Sequence, residues 1–440
     1  MPVNSNPELV LLRNQREDRP ATLEEYRASG GYEALALAVR EKAPRQICEM
    51  VKDSALRGRG GAAFPAGLKW LGVKEDAPHP RYVVCNTDEM EPGTFKDRIL
   101  VDADPHQAIE GCILAGYAIQ AQRGIIFIRP SYEQGAQLLE RELEVARQAG
   151  FLGQNILGSG FSFDLTVHRS AGRYICGEAT AQVNAIMGNR PHPMKGVHMA
   201  AQGLWGLPTL VNNVETLACV PHIVRNGPEW FRRLARTPTG GGTKLYAVSG
   251  KVNRPGVYEL PIGTPLREII EEHAGGMLSG GEFKACLPGG ASTRYLPRQF
   301  YDLEMDYDTL KAVGHRLGTG AIIVYDNHTC FVGATLNLQE FFARESCGYC
   351  TPCREGLPYI RDLLWRLENG EGKEEYLPML RQMAGHMAKS YCAFAPGAAE
   401  PVISLLTYFA DEVREHISQK GCPFKGVDKP RPHLWYPPEE

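Results

Sequence analysis

The order of apolar and polar positions divides the 440-residue chain into three regions. Up to about residue 240, helical stretches alternate with short apolar runs. "RYVVCN" (81–86) and "RGIIFIR" (123–129) have the length and flanks of buried strands, and between them Ile109, Ile113 and Tyr117 recur at the spacing of one helix face. Strand, helix and strand in that order predict an α/β unit with a largely parallel sheet. "RTPTGGGTK" (236–244), polar and glycine-rich, is expected to be a linker. Beyond it, "LYAVSGKVNRPGVYELP" predicts two strands joined by a turn at Asn253 to Gly256, followed by a helix begun near Thr264 and stopped by Gly275 and Gly276. That pattern predicts a compact β-grasp unit. From about residue 332 the periodicity is wholly helical: Leu357, Ile360, Leu364 and Leu367 form one stripe, and Val402, Leu405, Leu406, Phe409, Val413 and Ile417 another. A small helical bundle is expected there, with a proline-rich tail after Cys422 running over the surface. The division is therefore 1–240, 241–331 and 332–440.

Composition narrows the function. A net charge of −3, with 48 Lys and Arg scattered along the chain, leaves no basic footprint for nucleic acid. No run of about 18 apolar residues occurs, and the N-terminus is polar with acidic residues, so signal, transit and transmembrane segments are not expected. Twelve cysteines in 440 residues fall far below the density of a secreted disulfide scaffold, which points to a reducing compartment.

Three of those cysteines are unusual. "ESCGYCTPCREG" (345–356) sets Cys347, Cys350 and Cys353 at strict two-residue intervals, and Cys392 in "KSYCAFAPGA" is the candidate fourth ligand. Four thiolates suit tetrahedral zinc or an iron–sulfur cube. Zinc more often shows two separated pairs, so three ligands round one corner with a remote fourth favour the cube, with a zinc staple as the plainer alternative. The other cysteines are expected to be small buried hydrophobes.

Four further stretches carry candidate chemistry. "RGRGGAAFPAG" (57–67) contains Gly58, Gly60, Gly61 and Gly67, where backbone can approach a phosphate or a flat ring without Cβ in the way, although a flexible surface loop has the same composition. Arg59 within it and Lys69 in "GLKW" are cations able to pair with phosphate. "CNTDEMEPGTFKDR" (85–98) puts Asn86, Asp88, Glu89 and Glu91 at the end of an apolar strand, where parallel α/β sheets bind ligands; a solvated acidic turn is the alternative. "GRYICGEATA" (172–181) follows, and "VNNVET" (211–216) supplies Asn212 and Asn213 as donors and acceptors suited to a phosphate or flavin edge.

Taken in order, "GRGGAAFPAGLKW", "CNTDEMEPGTFKDR", "GRYICGE", "LWGLPTLVNNVETL", "SGKVNRPGVYELPIGT" and "ESCGYCTPCREG" with "CAFAPGA" resemble the NADH-binding flavoprotein subunit of respiratory complex I and its relatives in soluble NAD-linked hydrogenases and formate dehydrogenases. The resemblance runs from about residue 25 to 425. It implies a Rossmann-like α/β domain holding FMN, a β-grasp domain akin to soluble-ligand-binding domains, and a helical bundle carrying one 4Fe-4S cluster on Cys347, Cys350, Cys353 and Cys392. NADH, with NADPH as a second candidate, is the implied substrate. A nicotinamide gives up a hydride whereas clusters take single electrons, so a flavin must stand between them. By resemblance Gly58, Gly60, Lys69, Asn86, Asp88, Glu89, Tyr174, Gly177, Glu178, Asn212, Asn213 and Thr216 surround the FMN. Phe64, Glu91 and Tyr174 shape the nucleotide side, and Glu89, Glu178 and Tyr174 are the candidate catalytic residues. Implied partners are a 2Fe-2S thioredoxin-like subunit and a larger iron–sulfur subunit of the same complex, with the chain cytoplasmic and peripheral on the cytoplasmic face of a bacterial inner membrane.

Departures from the family pattern cluster toward the nucleotide. Ala63 replaces a usual glycine, Ala179 follows Glu178 where an acidic residue is usual, Gly72 stands near a usual aromatic, and "PMKGVHMAAQG" (193–203) replaces a proline-rich stretch and puts His198 where a stacking aromatic is expected. Arg190, Lys195 and His198 are candidate positive partners for a 2′-phosphate. Two functions remain open at this level: an electron-input subunit of complex I or of a soluble dehydrogenase, and a scaffold that keeps fold and cluster without oxidising a nucleotide. Complex I is favoured because the chain lacks the cluster-bearing extensions of the fused hydrogenase subunits.

Overall fold

The apolar runs around residues 84 and 126 fold as neighbouring strands. In the computed structural model, which describes residues 9–16 and 18–424, β1 (Tyr82–Thr87), β2 (Arg123–Ile128), β3 (Asp164–Arg169) and β4 (Thr209–Asn213) lie in the order β3-β2-β1-β4, all parallel. The helix Pro105–Ile119, carrying Ile109 and Ile113 fully buried, crosses from β1 to β2. Successive side chains of a strand point to opposite faces, and the two faces meet different partners. Val83, Cys85 and Ile126 join a core with that helix, whereas Tyr82, Val84 and Phe127 join a second core with the C-terminal helices. A strand covered on both faces reads as a continuous apolar run, which is why β1 and β2 stand out in the sequence.

The middle region forms a five-stranded mixed sheet from β5 (Thr243–Gly250), β6 (Gly256–Pro261), β7 (Phe283–Leu287), β8 (Leu296–Pro297) and β9 (Ala321–Asp326), ordered β6-β5-β9-β7-β8. The expected turn joins β5 to β6, held by Asn253 Nδ2 donating to the carbonyls of Gly275 (2.8 Å) and Met277 (3.0 Å). The following helix starts at Leu266, widens into a π turn over Ile269–His273, and stops before Gly275 and Gly276, both at positive φ.

The interval 236–244 is not a free linker. Its backbone bonds to Ile262 and Phe231, Thr243 and Lys244 already belong to β5, and a Cβ on Gly242 would stand 2.1 Å from the Phe231 ring. Its glycines serve close packing rather than flexibility. The C-terminal region is helical as expected, with helices Phe331–Glu345, Thr351–Glu368, Tyr376–Met387, Phe394–Tyr408 and Ala410–Ser418. Leu357, Ile360, Leu364 and Leu367 are buried; Phe409 and Ile417 of the second stripe pack half-buried against that core. The tail from residue 425 lies outside the described residues.

Candidate functional site

The carboxyl ends of β1 and β4 lie side by side, with Asn86 in register with Asn213 and Cys85 with Asn212. The glycine run folds over that edge. Gly60 approaches so closely that a Cβ there would stand 3.1 Å from Asn213 Cβ, and Gly61 takes φ +111°. Asn213 Nδ2 donates to the Asn86 carbonyl (3.3 Å) and to Asp97 Oδ2 (2.7 Å), while Asn212 Oδ1 accepts from Trp70 Nε1 at 2.9 Å. Lys69 Nζ donates to the Val211 carbonyl at 2.9 Å, and burial lowers its pKa.

Asp88 carries the clearest sign of a missing partner. It is 4% exposed, and its Oδ1 accepts from Ser170 Oγ at 2.8 Å, while its Oδ2 is buried with no hydrogen-bond donor. Burial pushes its carboxyl up to about 6, against the pull of Ser170 and Arg129. An unpaired buried carboxylate oxygen just past the carboxyl end of β1 fits a ligand that brings hydroxyl donors. A flavin mononucleotide, with a polyol chain, a phosphate and a flat ring, meets that description.

Several candidates sit elsewhere or do something other than the sequence implied. Arg59 is completely buried and is not available to a phosphate: its guanidinium donates to the carbonyls of Gly241 (2.7 Å) and Thr243 (3.1 Å), and its backbone N–H to Thr216 Oγ1 at 2.9 Å. Gly67 is there for helix packing, since a Cβ would meet Lys52 backbone at 2.3 Å. Glu89 caps the helix Lys96–Ala103, accepting from the N–H groups of Asp97 (2.9 Å) and Arg98 (3.3 Å) and from the Tyr132 hydroxyl (3.0 Å). Burial, then Asp97, raises its carboxyl to about 7. Glu178 caps the helix Ala179–Ile186 through the N–H groups of Thr180 and Ala181. Gly177 and Phe64 are exposed.

Sequence reasoning missed the charges beneath the site. Lys96 Nζ lies 2.5 Å from Asp97 and 2.8 Å from Glu215, and Lys244 Nζ lies 2.7 Å from Glu215, all essentially without solvent. Lys96 and Asp97 sit in "GTFKDR" and Glu215 in "VNNVET", so charged residues inside motifs flanked by apolar runs were the available signal.

The cysteines converge at two helix starts. Cys350 is the N-cap residue of Thr351–Glu368, with Cys353 in its first turn, and Cys392 stands just before Phe394–Tyr408. The positive helix ends favour thiolates. Burial foremost, with Cys350, Cys347 and Cys392 adding to it, raises the Cys353 thiol to about 12, and Cys392 is raised to about 11 by burial and then by Cys347, Glu178 and Cys350. Among the described residues no three of these four sulphurs lie within 4.8 Å of one another. Thiolates round one tetrahedral zinc, at Zn–S distances of about 2.3 Å, stand roughly 3.8 Å apart. Four cysteines of this kind suit an iron–sulfur cube.

Tyr174 joins the two halves. Its hydroxyl donates to Glu91 Oε2 at 2.5 Å, Glu91 Oε1 accepts from Ser292 N–H at 2.6 Å, and its ring packs edge-on against Phe394, 5.2 Å between centroids and two residues beyond Cys392. The altered loop packs on the same side. Arg190 Nη2 donates to the Cys347 carbonyl (3.0 Å), Lys195 N–H to the Tyr391 hydroxyl (3.1 Å), His192 stacks on Tyr349, and His198 is exposed. Arg190 and Lys195 thus brace the cysteine loops. Two departures prove to be neighbours, since a Cβ at Gly72 would stand 3.8 Å from Ala200 Cβ.

Fold and site together define a redox protein with a flavin-type cradle beside a four-cysteine cluster site. The family model for the Nuo51 FMN-binding domain matches residues 51–222, the SLBB domain 245–294, and the NADH-ubiquinone oxidoreductase-F iron-sulfur binding region 333–416. The chain is 47% identical over 421 residues to one of the NADH-quinone oxidoreductase F subunits of Rhizobium meliloti (strain 1021), the one numbered 2, covering 95% of this chain and 99% of that one. It is 47% identical over 409 residues to the NADH-quinone oxidoreductase F subunit of Escherichia coli (strain K12), covering 92% of each. The NAD+-reducing [NiFe]-hydrogenase in its H2-reduced state contains a chain of similar structure, with TM-score 0.79 and 34% identity over 93% of this chain and 68% of that one. The chain belongs to the family of NADH-quinone oxidoreductase F subunits.

Proposed function

We infer that the protein is the electron-input subunit of a multi-subunit NADH-quinone oxidoreductase: it oxidises NADH by hydride transfer to FMN and passes single electrons through a 4Fe-4S cluster toward quinone. The carrying observation is Tyr174, whose hydroxyl closes on Glu91 at the strand edge while its ring packs against Phe394 beside Cys392. Bound FMN supplies the conversion between a two-electron hydride and single electrons. The residues' part is positional. Gly58, Gly60 and Gly61 would present backbone to the flavin nucleotide, Asp88 and Asn86 would offer acceptors to its hydroxyls, and Asn212, Asn213 and Lys69 would line the β4 edge. Glu178, capping its helix beside Cys392, and Tyr174 lie on the side that leads to the cluster. Cys347, Cys350, Cys353 and Cys392 would hold the cluster against the bundle.

In this reading the described part of 1–240 is Rossmann-like, a view supported by the parallel order β3-β2-β1-β4, 241–331 is β-grasp, and the described part of 332–440 forms the cluster bundle. A 2Fe-2S thioredoxin-like subunit and a larger iron–sulfur subunit receive the electrons at the cytoplasmic face of the membrane. No helix among the described residues is long and apolar enough to cross it. The likeness to the NAD+-reducing hydrogenase chain supports a second reading, the diaphorase of a soluble hydrogenase, which the identity of co-purifying subunits separates from the first. The test is the visible spectrum of the purified protein under anaerobic conditions: NADH bleaches the flavin and then the cluster. A chain that shows no flavin absorbance after reconstitution with FMN, or none that NADH bleaches, refutes the reading.

A further inference from the structure

A second group of ligand-type side chains lies at the far end of the bundle. Cys330, Glu368, His416 and Cys422 come from separate places in the chain, yet one ligand atom from each falls within 4.8 Å of all the others. Cys330 precedes the helix Phe331–Glu345, Glu368 ends Thr351–Glu368, His416 lies in Ala410–Ser418, and Cys422 follows that helix. Glu368 ends the same helix whose first turn holds Cys353, so at about 1.5 Å per residue the two groups are roughly 22 Å apart. This is not the cluster site.

The geometry points to a tetrahedral zinc site. Cys330 Sγ lies 3.2 Å from His416 Nε2 and 3.4 Å from Glu368 Oε2, and His416 Nε2 lies 3.3 Å from the same carboxylate oxygen. His416 Nδ1 stands 2.7 Å from the Glu412 carbonyl. A carbonyl only accepts, so Nδ1 carries the proton and the neutral ring turns its Nε2 lone pair toward Glu368 and the sulphurs. That is the arrangement by which outer hydrogen bonds orient a metal-binding imidazole. The Gly333 N–H donates to Cys330 Sγ at 3.2 Å from the first turn of its helix, a contact that favours thiolate. Two sulphurs, a nitrogen and an oxygen match zinc, whereas calcium and magnesium take oxygen alone. Cys330, His416 and Cys422 are 2%, 0% and 3% exposed, and Glu368 is the member that reaches solvent, which leaves an ion one side of entry.

We propose that Cys330, Glu368, His416 and Cys422 bind a zinc-class divalent ion that fastens the segment after the last helix to the start of the bundle. Binding displaces the two thiol protons to solvent and forms two Zn–S bonds, one Zn–N bond and one Zn–O bond, with no change in oxidation state. The site lies outside the flavin and cluster chemistry, and its role is structural.

The test uses the full-length protein with its flavin and cluster in place, incubated with zinc chloride, freed of loose metal, and analysed for zinc and iron. One zinc per chain is expected in the unaltered protein. Cys422→Ala and His416→Gln should lower zinc affinity by more than about 100-fold, beyond the loss of about 10- to 100-fold typical of an outer partner, with iron and flavin contents unchanged. The thermal midpoint of the unaltered protein should rise with zinc and fall back with a chelator, which reads the site without any substitution. Zinc retention equal in the unaltered protein and Cys422→Ala, no zinc effect on the midpoint, or a Cys330–Cys422 disulfide in anaerobically prepared protein overturns the proposal.

Discussion

Replacing Glu215 by Gln removes one charge and almost no volume from the network under the flavin cradle. The Glu215 carboxylate is wholly buried, 2.8 Å from Lys96 Nζ and 2.7 Å from Lys244 Nζ, and it also accepts the Leu245 N–H at 3.1 Å. Burial alone pushes its pKa up, but Lys244, Lys96 and Arg59 together hold it down at about 2, against an ordinary 4.5. Through proton linkage that difference is worth roughly 3 kcal/mol, fully present above pH of about 4.5 and lost as pH falls toward about 2. Gln leaves Lys96 with Asp97 as its partner, and it takes away the charge that keeps Lys244, which burial has already lowered to about 7, protonated, a change expected to cost about 3–5 kcal/mol. At roughly 2.1 cal/mol/K per residue, a chain of 440 residues melting as one unit has an unfolding entropy near 0.9 kcal/mol/K, so the midpoint should fall by about 3–5 °C at neutral pH. The deficit should shrink as pH falls below about 4.5. Because Lys96 and Asp97 also fix Asn213, flavin should dissociate faster from the variant. Adding Lys244→Met removes the buried amine that Glu215 no longer pairs and should recover part of the loss. A midpoint unchanged within about 1 °C, or a double variant whose loss is the sum of the two single losses, refutes the reasoning.

Cys392→Ala should lose the cluster's iron while keeping FMN, because the two sites share Tyr174 but no ligand; iron analysis beside the flavin spectrum checks it, and an unchanged cluster signal means another fourth ligand. Ala63 sits at φ +56°, a left-handed conformation that disfavours a side chain by about 1–2 kcal/mol, so Ala63→Gly should raise the thermal midpoint slightly rather than lower it. Ala179 stands first in its helix where the family pattern carries an acid, so the native protein should discriminate weakly against NADPH, and Ala179→Glu should raise the ratio of NADH to NADPH efficiencies, measured with an artificial acceptor, at least about tenfold. Coulomb attraction or repulsion of about 4 kcal/mol at about 4 Å, before solvent screening, sets the upper scale of that effect. A native chain that already prefers NADH by several orders of magnitude, with no change in the variant, defeats the idea.

Periodicity and short spacing were enough to read part of this protein from its residues. The runs that became β1 and β2 were legible because both faces of each strand are buried, so no polar alternation obscured them. The bundle was legible through its leucine stripes, and the cysteine triplet through an interval that helix and loop geometry alone can bring to one corner. Whatever rests on where a side chain turns after the backbone is placed needed the packed chain. Arg59 and Lys69 are both cations near one glycine run, yet Arg59 faces inward to the Gly241 and Thr243 carbonyls because the segment 236–244 packs tightly against it. Glu89 and Asp88 are adjacent, and alternation along the chain turns one to a helix start and the other to an unpaired site beside Ser170. Cys330 and Cys422 look like ordinary buried thiols in the sequence. Only the folding of three helices onto one another brings them, with Glu368 and His416, to a common point, because contacts between residues so far apart in the chain leave no local pattern to read.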